Sequence, residues 1–200
     1  LNFDRDMASI PISGARYKLL ETATRLFAAK GYAGTSVREI VDQAGVSKPV
    51  LYYYFENKAG LFRAILDGAA EVQQRVLDEA VRKTGSTQAR LTYLFRRIYE
   101  GVREHKLLFQ LIHNLLFGPP RGAPAYDIAR FYRALITTVE KIYREGLNAG
   151  EVFDTDPEEA ACLVLSLIDF CLNLEQVSPE LTDAKRPERL LKLAFQGLKA

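Results

Sequence analysis

Thr35-Ser36-Val37-Arg38-Glu39-Ile40-Val41-Asp42-Gln43-Ala44-Gly45-Val46-Ser47-Lys48-Pro49-Val50-Leu51-Tyr52-Tyr53-Tyr54-Phe55-Glu56-Asn57-Lys58 decides the fold of this chain. Ser36 followed by Glu39 is a capping-box signature, after which Val37, Ile40, Val41 and Ala44 recur at helical spacing. Ala44-Gly45-Val46 breaks that helix in a tight corner. Ser47 caps a second helix, running to about Phe55, that tolerates Pro49 because its first turn needs no amide donor there. Steps of 100° put Leu51 and Phe55 on one side of it, Pro49, Tyr52 and Tyr53 on the other, and Lys48 one turn from Tyr52. The pattern is a helix-turn-helix whose second helix turns lysine and tyrosine outward.

That outward face has a chemistry. Ser47–Phe55 spans about 13 Å, comparable with a DNA major groove of about 12 Å. Lysine donates to guanine O6 and N7 or to phosphate, and tyrosine offers a hydroxyl to phosphates and a flat ring to thymine methyls. Arg38 leaves the preceding helix near the corner, within reach of a base edge or the backbone. Lys58, beside the Asn57 cap of the next helix, would set a charge and helix-terminal amides near a phosphate. A plain packing unit and a protein-binding surface are the competing readings. Three consecutive tyrosines with a positive flank on a solvent face weigh against both.

The flanking sequence is helical throughout. Leu19, Leu20, Ala23, Leu26 and Phe27 share one face of a helix that ends at Gly31. After Asn57 a long helix carries Leu61, Ile65, Ala69, Val72 and Val76. Gln88–Glu104 and His105–Phe117 read as two helices or as one bent helix. Gly118-Pro119-Pro120-Arg121-Gly122-Ala123-Pro124 is a loop, with a helix expected from about Ala125 to near Gly150. Asp156-Pro157-Glu158-Glu159 starts another helix, holding the apolar run Ala160–Leu174, and Pro187–Leu198 closes the chain. No period-two alternation competes, so the fold is all-α with about nine helices. Residues 1–12 lack periodicity and read as a flexible tail. Residues 13–63 read as the helix-turn-helix domain and 64–200 as a helical body.

With 200 residues, 48% of them hydrophobic, the chain can bury a sizeable core. Its net charge of +2 is unevenly placed: nine Lys/Arg against six Asp/Glu up to Ile65, eighteen against nineteen beyond it. A mildly basic N-terminal third suits a polyanion. Cys162 and Cys171 give neither a metal-ligand pair nor a disulfide framework, and read as small buried hydrophobes in a reducing compartment. No apolar run of membrane-spanning length occurs, and the expected location is the cytoplasm. No metal, cofactor or catalytic constellation is expected. There is no Glu-x-x-His pair, no glycine-rich phosphate loop and no Gly-x-Ser-x-Gly, and two histidines leave few general bases.

From Ala15 to about Leu66 the chain resembles the TetR/AcrR transcriptional regulators. The matching residues are Leu26–Tyr32, Thr35–Ile40, Ala44–Ser47, Leu51–Phe55, Lys58 and Leu61-Phe62, and further on Gly146, Gly150-Glu151, Phe153 and Asp156-Pro157. The resemblance implies contacts to duplex DNA from Arg38, Ser47, Lys48, Pro49, Val50, Tyr52 and Tyr53, with Tyr54 and Lys58 as phosphate clamps. Val50 departs from the small hydroxylated residue or glycine common at its position, so no operator preference is inherited.

The resemblance also implies a homodimer on a palindromic operator, a small, largely apolar effector in the body, and release of a repressor by that effector. The aromatic-rich middle supplies Tyr93, Tyr99, Phe109, His113, Phe117 and Phe131 as candidates for an effector pocket, with ordinary core packing as the alternative for each. Leu163, Leu167, Phe170, Leu174, Leu191 and Phe195 are the candidates for the dimer interface, with the monomer's own core as the alternative. An effector-independent DNA-organising or cell-division partner protein, or an activator, would share the same reading head.

Overall fold

The computed structural model describes residues 14–118, 122–178, 180, 183 and 185–197; the expected N-terminal tail lies outside them. The helices are α1 (Gly14–Lys30), α2 (Val37–Ala44), α3 (Lys48–Phe55), α4 (Lys58–Arg82), α5 (Thr87–Glu104), α6 (Lys106–Phe117), α7 (Arg130–Asn148), α8 (Pro157–Val177) and α9 (Arg186–Gly197). The described residues contain no strand. α5 and α6 are separate helices, parted at His105. α7 begins five residues later than expected, and Gly122–Ala129 before it are not helical. Within that stretch the half-buried Tyr126 and Ile128 pack onto a core, and the Tyr126 hydroxyl donates to Asp67 at 2.8 Å. These anchors override a helical pattern in the sequence.

The chain forms two compact units. One joins residues up to Val72 with Glu104–Ala129; the other joins Gln73–Arg103 with Arg130 onward. The expected boundary at 63/64 thus falls inside α4, a single uninterrupted helix, and α6 groups with the head and not with the body.

In the head, α1 packs on α2, α3 and α6. Leu19, Leu20, Ala23, Leu26 and Phe27 of α1 meet Ile40, Val41, Leu51, Phe55, Leu61, Phe62 and Leu111 in one core. Each large apolar side chain buried there contributes about 1.5–3 kcal/mol. Phe27, Tyr32 and Phe62 form an aromatic triangle with ring centroids 5.2–5.6 Å apart.

In the body, α7 packs on α8 and α8 on α9. The Asp156 carboxylate caps α8 by accepting from the Glu158 amide at 2.9 Å, with Pro157 in the first turn. Arg90 is buried and donates to the carbonyls of Ala80 and Val81 at the end of α4 and to Glu145 of α7. Gly146 lets α7 approach the start of α5, because a Cβ there would lie 2.1 Å from the Thr87 hydroxyl. Glu151 completes that joint by accepting from the Thr87 amide at 2.7 Å and its hydroxyl at 2.8 Å. The Gly146…Glu151 motif is therefore a docking joint between helices.

Candidate nucleic-acid interface

The corner between α2 and α3 is set by the backbone. Gly45 adopts φ +65°, and the amides of Gly45 and Val46 return to the carbonyls of Asp42 and Val41, which closes α2 in a Schellman turn. Ser36 caps α2 by accepting from the Glu39 amide at 3.1 Å. The reciprocal half of the box is replaced, since the Glu39 carboxylate pairs with Lys30 of α1. Arg25 adds a second tie between α1 and α2 by donating to Gln43 at 2.9 Å. The orientation of α2 is thus fixed from two points.

On α3, Leu51 and Phe55 are buried in the head core while Lys48 and Pro49 are exposed. Tyr52 is 47% and Tyr53 81% exposed. Eight residues give a helix about 12 Å long, matched in scale to the groove. No ion pair among the described residues holds Lys48. Arg38 pairs with Asp42 at 3.6 Å, but both side chains are exposed, so the pair is weak and redirecting Arg38 costs little. Ser47 starts α3 without a side-chain capping bond. Arg38, Ser47, Lys48, Pro49, Tyr52 and Tyr53 are thus the exposed members of the expected set.

Three expected contact residues sit differently. Val50 and Tyr54 are half-buried and pack against the head core. The Tyr54 ring stands edge-on to Tyr53 at 5.0 Å and props it outward. Lys58 is turned inward: its ammonium donates to the carbonyls of Tyr32 at 3.0 Å and Thr35 at 2.8 Å and lies 4.0 Å from the Tyr32 ring centroid. Burial pushes its pKa below the ordinary lysine value. At most one of its three donors is left for a phosphate, so its first role is to latch the start of α4 to the loop between α1 and α2.

Two further residues of this turn escaped sequence reasoning. Glu56 has φ +62° and ψ −44°, with the Asn57 amide donating to the Phe55 carbonyl at 2.6 Å, a γ-turn that an L-residue enters only with strain. Gly60 faces the Phe55 carbonyl so closely that a Cβ would lie 2.0 Å from its oxygen. Neither constraint leaves a mark in apolar periodicity.

The expected effector residues divide between the units. Phe109, His113 and Phe117 run along α6 of the head, with centroid spacings of 6.0 and 4.9 Å. Tyr93, Tyr99 and Phe131 belong to the body. Tyr93 donates to Glu79 at 2.7 Å beneath Lys83. Tyr99 is buried and donates to Glu175 at 2.7 Å, and Phe131 is core.

The expected interface residues also separate. Leu163 and Phe170 are exposed, Leu167 and Leu174 are half-buried, and Leu191 and Phe195 are buried in the single chain. The last two are corrected to core: their side of α9 packs inward, and Leu193 is the exposed leucine. Of the cysteines Cys171 is buried as expected, whereas Cys162 is exposed.

Comparisons agree with this geometry. Residues 19–72 match the family model described as bacterial regulatory proteins, tetR family. Over 103 residues the chain is 31% identical to the HTH-type transcriptional activator FasR of Mycolicibacterium smegmatis, covering 52% of this chain and 47% of FasR. Over 177 residues it is 24% identical to the HTH-type transcriptional regulator TtgR of Pseudomonas putida, covering 84% and 83% of the two chains. The fold is that of SmeT of Stenotrophomonas maltophilia in its triclosan complex, with TM-score 0.75, 20% identity, and 94% and 93% of the chains covered.

Proposed function

Because the chain belongs to the TetR family of bacterial regulatory proteins, we propose that it is a transcriptional repressor that binds a palindromic operator as a homodimer and is released by a small, largely apolar effector. The observation carrying this reading is the exposed lysine-and-tyrosine face of α3, held outward by a buried Leu51 and Phe55.

The dimer reading is supported by a stripe on α8. Leu163, Ser166, Phe170, Asn173 and Val177 are all exposed and follow one another at steps of three and four, the spacing of a helix-pairing seam. Phe170 and Val177 are 56% and 81% exposed, and Leu193 of α9 is another exposed large apolar residue of the same unit. A two-fold pairing through such a stripe would present two reading heads to half-sites about 34 Å apart, one DNA turn. The effector reading is supported by SmeT, which shares the fold and is described in complex with triclosan. An effector that moved the bound population from 99% to 1% would have to favour the released form by about 5.5 kcal/mol. FasR, an activator by name, favours the opposite sign of regulation, which a transcription assay decides.

Selection from a random duplex pool tests the reading. The expected winner is a two-fold symmetric site, and Lys48→Ala or Tyr53→Ala should each weaken its binding by about 1–3 kcal/mol. Thermal stability should change by less than about 0.5 kcal/mol for such exposed sites. No enrichment of any sequence would remove the DNA reading.

A further inference from the structure

The head contains a cleft that its core does not fill. It has a volume of about 340 Å³, and its wall is drawn from α1, α4, α6, Gly118 and residues between Gly122 and Ile128. The cleft is partly open to solvent. Small-molecule sites begin at about 300 Å³. Leu111, Asn114 and Leu115 line it from one side of α6, whereas Phe109, His113 and Phe117 do not. Gly31, Gly118 and Gly122 also belong to the wall, so three of its positions carry no side chain. Gly118 cannot gain one, because its Cβ would lie 2.4 Å from the Asn114 carbonyl.

We propose that this cleft is an effector site in the reading head itself, taking an uncharged, flat, mostly apolar molecule with one hydrogen-bonding group. The wall sets the chemistry. Among the described residues it holds no lysine, arginine or carboxylate, and it is dominated by aromatic and aliphatic side chains. Its one amide side chain, Asn114, makes no hydrogen bond within the described chain. Among the described lining residues none would offset the lost hydration of a charged ligand. An apolar ring carrying a hydroxyl or carbonyl would keep its partner.

Occupancy would act on DNA binding through Tyr32, which lines the cleft while its ring and carbonyl carry the Lys58 latch. A ligand that displaces the Tyr32 ring changes what holds the start of α4, one turn beyond α3. This consequence rests on the DNA-reading function; the site itself does not.

The test uses the full chain with methyl-labelled Leu and Ile and 2-naphthol as the probe. Expected are NOEs from the naphthol ring to Leu111, Leu115 and Ile128. Ala123→Phe, which fills the cleft, and Asn114→Leu, which is near in volume, should each weaken calorimetric binding by about tenfold, the worth of one good hydrogen bond or more. Duplex affinity of the unsubstituted chain should shift at least about threefold with saturating probe, and the shift should vanish in Ala123→Phe. NOEs confined to the body unit, or no binding at millimolar probe, overturn the site. Binding in the cleft with unchanged duplex affinity overturns the coupling. A chain that binds no duplex at all sinks the regulator reading, and the NOEs still judge the cleft.

Discussion

Replacing Lys58 with Met separates two roles that the same residue could play. Met keeps the aliphatic stem and removes only the ammonium, which donates to two backbone carbonyls and lies over the Tyr32 ring. Charge-assisted hydrogen bonds are worth about 1.5–3 kcal/mol each, and a partly exposed cation over a ring adds about 0.5–1 kcal/mol. The gross loss is reduced because the Tyr32 carbonyl also accepts from the Thr35 amide at 3.3 Å and so keeps a partner. Desolvation of the half-buried ammonium, which lowers its pKa, is recovered as well. The net expectation is about 2–3 kcal/mol, a large share of the 5–15 kcal/mol typical of a domain. Urea unfolding should show it as a lower midpoint at unchanged slope. The duplex assay reads the other role, since loss of one phosphate contact flattens the plot of log K against log salt by about 0.9. An unchanged urea midpoint together with a salt slope flattened by one contact would refute the latch and restore Lys58 to the phosphate backbone.

Gly60→Ala should cost more than about 2 kcal/mol, because the new Cβ meets the Phe55 carbonyl, a backbone atom that cannot swing aside. Gly101→Ala, in α5 with open space around it, is the control and should gain about 0.5–1 kcal/mol in a thermal melt. The Thr87 amide and hydroxyl hold the Glu151 carboxyl below its ordinary pKa. A depressed folded-state value gives stability that is present above the unfolded pKa of about 4.3 and lost as pH falls through the folded one. Glu151→Gln should therefore flatten the pH dependence of unfolding below about pH 4.5, and an identical acid limb in both proteins would contradict the joint. Phe170→Glu places a charge in the middle of the exposed α8 stripe, and sedimentation should then report monomers. A dimer that persists places the pairing surface elsewhere.

What could be read from the sequence was what is local. Leu19, Ala23, Leu26 and Phe27 occupy the buried side of α1 because helical spacing alone selects that side. Gly45 closes α2 because a left-handed corner needs glycine. The outward place of Lys48, Tyr52 and Tyr53 follows once Leu51 and Phe55 are known to be buried. Placements that the sequence leaves open are decided by residues distant in the chain. Lys58 is captured by carbonyls 23 and 26 residues earlier. The delayed start of α7 follows Tyr126 reaching Asp67, 59 residues away. Leu191 and Phe195 share the composition of the exposed stripe, and only the packing of α9 on α8 assigns them to the core.

The two ends of α4 are held by the same device applied in opposite settings. At its start Lys58, a residue of α4 itself, donates to carbonyls of the loop after α1. At its end Arg90, a residue of α5, donates to the carbonyls of Ala80 and Val81, where the dipole of α4 is negative and four carbonyls lack helical partners. At each end a cationic side chain thus meets backbone carbonyls, so the contact does not depend on which apolar side chains surround it. α4 is a single helix of 25 residues, about 37 Å long, with one such contact at each end. That hold falls to two cations and the carbonyls they meet. Losing either one would loosen that end of α4 before it unfolded the unit that holds it.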